Sequence, residues 1–162
     1  MTRKKKIISY VLTIVVLVGG FLALRIPSWT RTFGLPREVI QGERTPTAEE
    51  TIRLYFYYRN RRDTQAARQL LTIHMAAQPE ANLWSDSIED WEDWLFVDHK
   101  IIEISPWVKN EPEETATVAG FHVEDCEDYL WASLATDSWN LGYELRRTDV
   151  NHPWRINSIG NG

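Results

Sequence analysis

Residues 47–63 read TAEETIRLYFYYRNRRD, and the last nine positions hold three tyrosines, a phenylalanine and three arginines. Such a stretch is either an aromatic and basic platform for nucleic acid or a piece of scaffold, and its periodicity favours the scaffold. Thr47 followed three residues later by Glu50 is a capping box, placed just after Pro46, so a helix starts there. Ile52, Tyr55, Phe56 and Arg59 follow the i, i+3, i+4, i+7 spacing of a buried helical face, and Leu54 and Tyr58 widen the stripe. Arg61 and Arg62 fall beyond Asn60, near the helix C-terminus, where the helix dipole favours positive charge. Asp63 then caps a second helix with its own apolar stripe, Ala66, Ala67, Leu70, Leu71 and His74. The stretch reads as a helical hairpin with a charged elbow.

Composition agrees that nucleic acid is not the partner. The 162 residues carry a formal charge of -5, and Arg3, Lys4, Lys5, Lys6 and Arg25 stand alone at the amino end without an acid. The rest holds 13 basic against 23 acidic residues, a field that repels a polyanion, since such binding needs Lys and Arg to displace counterions at phosphates. The single cysteine, Cys126, can form no disulfide within the chain, and in EDCED four carboxylates disfavour its thiolate.

Residues 7–24, IISYVLTIVVLVGGFLAL, carry no charge and approach the roughly 20 residues that cross a bilayer as a helix. With RKKK before them, the positive-inside rule predicts a cytoplasmic tail at 1–6, a transmembrane helix at 7–26 and an extracytoplasmic remainder. That is a single-pass protein of the cell membrane. Arg25, Ile26, Pro27, Ser28 and Trp29 offer no small-residue cleavage site, so an uncleaved anchor is expected rather than a removed signal. Gly19 and Ala23 have small-xxx-small spacing, which suits a homo-oligomer through the anchor. Residues 27–45, rich in Pro, Gly, Thr and Arg, read as a linker, and 46–162 as one domain.

SIEDWEDWLF, at 87–96, has helical spacing with an acidic outer face. After Val97 the period changes. DHKIIEISPW, TATVAGFHVED, SWNLGYELRRT and HPWRINSI are rich in β-branched and aromatic residues and separated by turn formers. Helices first and strands afterwards predict an α+β fold, with helices on one face of an antiparallel sheet.

The capped first helix, the N-x-x-D elbow at Asn60 to Asp63, the A-x-x-LL of the second helix and the ending PWRINSIGNG together resemble the NTF2-like superfamily. More narrowly, W-x-I-x-S-I-G-x-G is similar to an uncharacterised family of secreted or membrane-anchored NTF2-like domains of Gram-positive bacteria. The resemblance implies a cystatin-like cone, a bent sheet wrapped around helices with an apolar pocket between them. It also implies a candidate catalytic tyrosine. Steroid isomerases of the superfamily place one on the first helix eight residues before the elbow aspartate, and Tyr55 has that spacing from Asp63. Proton transfer would need a carboxylate or histidine beside it; Asp98 and His99 at the start of the first strand are the candidates, with His122 on the second.

The histidines, at 74, 99, 122 and 152, show no metal-ligand spacing, so no metal and no cofactor are expected. Eight tryptophans are the most unusual feature. Trp107, Trp139 and Trp154 lie in or beside predicted strands and read as core. Trp84, Trp91 and Trp94 accompany Asp86, Glu89, Asp90, Glu92 and Asp93, an aromatic surface with an anionic rim suited to a partner or ligand. The functional expectation is a non-catalytic module that binds a protein partner or a small apolar ligand. A scaffold subunit of a cell-envelope or conjugation-type secretion complex and a small isomerase or hydrolase are the alternatives.

Overall fold

A computed structural model describes residues 3–77, 97–107, 118–129 and 138–160. The chain divides into two units, Met1–Arg31 and Thr32–Gly162.

The first unit holds α1 (Arg3–Thr30), whose described side chains, those of 7–20 and of Thr30, are all exposed. Thr13 bonds back to the carbonyl of Ser9 at 2.9 Å, which settles its hydroxyl within the helix. Among the described residues no helix is long and apolar enough to cross a membrane. The expected transmembrane helix, the membrane as its partner and the single-pass placement in the cell membrane are corrected accordingly.

The second unit is a small α+β fold. It contains α2 (Arg37–Ile40), α3 (Ala48–Arg61), α4 (Thr64–Arg68) and α5 (Ile73–Ala76). The strands β1 (Val97–Pro106), β2 (Val118–Tyr129), β3 (Ser138–Arg146) and β4 (Arg155–Gly160) follow, antiparallel in the order β1-β2-β3-β4. Helix α3 begins as its sequence demands. Thr47 Oγ1 accepts from the Glu50 N–H at 3.2 Å, and Glu50 Oε2 accepts from the Thr47 N–H at 2.8 Å. Arg44 adds a two-pronged pair on the same carboxylate, at 2.9 and 2.6 Å. The helix ends in a Schellman turn: Arg62 takes a left-handed φ of 60°, Asp63 N–H reaches Tyr58 O and Arg62 N–H reaches Arg59 O, both at 3.0 Å.

Two expectations change in detail. The segment read as a linker enters the core, with Phe33, Leu35 and Val39 buried against α3 and the sheet. The second helix of the hairpin breaks after Arg68, because Leu71 pairs with β4 instead of continuing the helical turn. The Ile156 N–H donates to Leu70 O at 2.8 Å, the Thr72 N–H donates to Ile156 O at 2.9 Å, and Thr72 then caps α5.

One face of the sheet, carrying Phe121, Val123, Leu141, Tyr143, Leu145 and Ile156, packs on Ile52, Tyr55 and Phe56 of α3. Alternation along the strands sends Gly120, His122 and Glu124 of β2, and Glu144 of β3, to the other face. Edges of a sheet offer unpaired backbone groups to other chains, and here both are obstructed. On β4 the Leu71 segment takes the outward groups of Ile156. On β1 there are three obstacles. Asn60 holds His99, Ile102 is an extra residue at the bulge between Ile101 and Glu103, and Pro106 has no N–H where the strand faces outward.

Candidate functional site

Phe56 is the hub of the interior. Its ring centroid lies 6.0 Å from Tyr55, 5.9 Å from His99, 6.1 Å from Tyr143 and 6.2 Å from Phe33. Tyr55 is 2% exposed and His99 4%. Both candidate catalytic residues therefore stand in one aromatic cluster on either side of Phe56. Burial holds the imidazole of His99 well below its ordinary value, and the guanidinium groups of Arg59 and Arg62 push it the same way, so it is neutral at physiological pH. Its backbone is pinned by Asn60, whose Nδ2 donates to His99 O at 2.8 Å while Oδ1 accepts from the His99 N–H at 2.9 Å. A side-chain amide thus stands in for a neighbouring strand. Asp98 pairs with Asp128 across β1 and β2, and its side chain lies outside the described residues. Trp84, Trp91, Trp94 and the helix expected at 87–96 also lie outside them.

The opposite face of the sheet presents a different arrangement, centred on Trp107. The indole lies directly on Gly120 of β2, where a β-carbon would fall inside the ring, and the Trp107 N–H donates to Gly120 O at 3.0 Å. Glycine is required there because the aromatic ring occupies the space of its missing side chain. His122 meets the indole edge-on at 5.3 Å. Though seated in this way, Trp107 remains 44% exposed. Four residues from this pair along the two antiparallel strands, back from Trp107 and forward from Gly120, Glu103 and Glu124 stand directly opposite one another. Glu144, by contrast, accepts from Arg146 at 2.8 Å and from Asn157 at 3.0 Å.

Trp154 is buried, 2% exposed, beneath the Arg147 guanidinium at 4.4 Å, as expected of a core residue. Trp107 is not core. Its side is set by register, and neither the pairing with Gly120 nor the bulge at Ile102 is visible in a hydropathy pattern. The register places it: Ile104 and Pro106 stand opposite the core-facing Val123 and Phe121, so the next residue lies on the other face. Among the described residues no group of three His, Cys, Asp or Glu is placed to hold a metal ion.

By fold this is a small α+β unit with a four-stranded antiparallel sheet. Among solved structures it is similar to the solution structure of a SEC-C motif containing protein from Rhodopseudomonas palustris, with 8% identity and a TM-score of 0.53. The match covers 77% of this chain and 87% of that one. Likeness at that identity concerns the fold alone. No family model matches the chain, and no curated protein does. Membership of the NTF2-like superfamily, and the cone it implied, are corrected on this ground. The residues behind that resemblance perform tasks general to helix and sheet packing: Thr47 and Glu50 cap, Asn60 clamps a strand, and Trp154 and Ile156 fill the core.

Proposed function

We propose that the Thr32–Gly162 unit is a non-catalytic binding module that receives a protein partner on the sheet face centred on Trp107. One observation carries the reading: a large aromatic side chain is held rigidly on a glycine floor and left exposed. Fixing an indole in this way removes the entropy it would lose on binding, and Trp is the residue type most enriched at energetic centres of interfaces. The obstructed edges argue for docking on the face rather than by strand addition. The burial of Tyr55 and His99 within the Phe56 cluster supports a structural role for both, since a proton-transfer pair must reach its substrate.

The test is native mass spectrometry of the full chain purified from its own host, beside the Trp107→Ala variant. The expected result is a bound species of defined stoichiometry on the wild type that the variant lacks. A bound species retained by Trp107→Ala and lost from Tyr55→Phe would overturn the reading in favour of the interior.

A further inference from the structure

We infer that the partner docked on this face is an extended, lysine- or arginine-bearing peptide segment; the inference rests on the binding role proposed for Trp107. Glu103 and Glu124 are cross-strand partners on the same face as the indole. Like charges placed directly opposite in an antiparallel pair destabilise a sheet. Among the described residues neither carboxylate has an ion-pair or hydrogen-bond partner, and Lys100, the nearest cation along β1, engages neither. The pair is thus a cost in the free protein that a cation from outside would offset.

The indole beside it has matching chemistry, because the face of Trp attracts ammonium and guanidinium groups. Geometry adds the extended shape. Trp107 and Glu103 are four residues apart on one strand, about 13 Å at ~3.3 Å per residue. In an extended peptide, side chains four positions apart have that same separation and point the same way. The excess of 23 acidic over 13 basic residues beyond the amino-terminal segment gives the field that would draw such a peptide in.

The experiment is fluorescence anisotropy of labelled nine-residue peptides against the full chain. One peptide alternates Lys with Thr, and its counterparts replace Lys by Gln or by Glu. The lysine peptide is expected to bind, and its affinity to fall steeply as salt is raised. Glu103→Gln with Glu124→Gln should weaken it about tenfold and flatten the salt dependence. Glu38→Gln with Glu43→Gln, the same change in net charge elsewhere on the unit, should leave it within twofold.

The same Glu103/Glu124 double variant should also melt at a higher temperature without ligand, since it removes a repulsion. Equal binding of the Gln peptide, lost on Trp107→Ala, would overturn the basic partner while leaving the Trp107 platform standing. Lysine-peptide binding unchanged by Trp107→Ala and by the Glu103/Glu124 variant would overturn both.

Discussion

Asn60 is the residue on which most of the architecture turns, because its amide ties the last turn of the unit's longest helix to the backbone of an edge strand. Aspartate has the same shape but no N–H₂ to offer His99 O, and its carboxylate would face that carbonyl in a buried setting. Asn60→Asp is expected to cost about 2–4 kcal/mol, read from urea denaturation, whereas a loss under ~1 kcal/mol would show the clamp to be incidental. His99, beside it, sets a pH dependence. Its ordinary value is 6.5 and its native value is lower, so the unfolded chain takes up the proton first. Stability is therefore full above about pH 6.5 and declines as the pH falls below it. The urea midpoint should drop between pH 7.5 and pH 5.5 in the wild type and stay flatter in His99→Phe. Glu50 acts in a separate window. Hydrogen bonding from Arg44 holds its carboxyl below 4.5, so its contribution is lost only in stronger acid.

At the scale of elements, helix α3 was legible in the sequence nearly residue by residue, since its start is a local matter of side chains reaching backbone three positions away. Thr47→Ala should cost about 1 kcal/mol, with circular dichroism melts as the check. The second helix was legible at its start, where Asp63 caps it, and not at its end. Its stop depends on Leu70 and Thr72 bonding to Ile156, some eighty-five residues further on, and no local pattern reports that. Trp107 fails to be legible for the same reason: its exposure follows from register against Gly120, a partner on another strand. Gly120→Ala should displace the indole, and a double-mutant cycle with Trp107→Ala should show coupling above about 0.5 kcal/mol, where additive effects would deny the contact.

For the molecule as a whole, the pattern of helices followed by strands was enough to predict an α+β unit with an antiparallel sheet, because the change from a period of 3.6 to one of 2 is written along the chain. The finer family resemblance failed because capping boxes, buried aromatics and a terminal strand are devices that many α+β folds share. The reading of residues 7–24 failed as a membrane span because, among the described residues, no helix is long and apolar enough to cross a membrane. Among the described residues the molecule presents an aromatic interior around Phe56 and the Trp107 indole mounted on the far side of the sheet. Binding on that far side can be located directly by NMR of the full chain labelled at its tryptophan indoles, with Trp107→Phe and Trp154→Phe as assignment controls, during titration with the alternating lysine peptide. The account predicts that the Trp107 indole signal moves progressively while that of Trp154 stays in place. Movement of Trp154 with Trp107 unperturbed would contradict it.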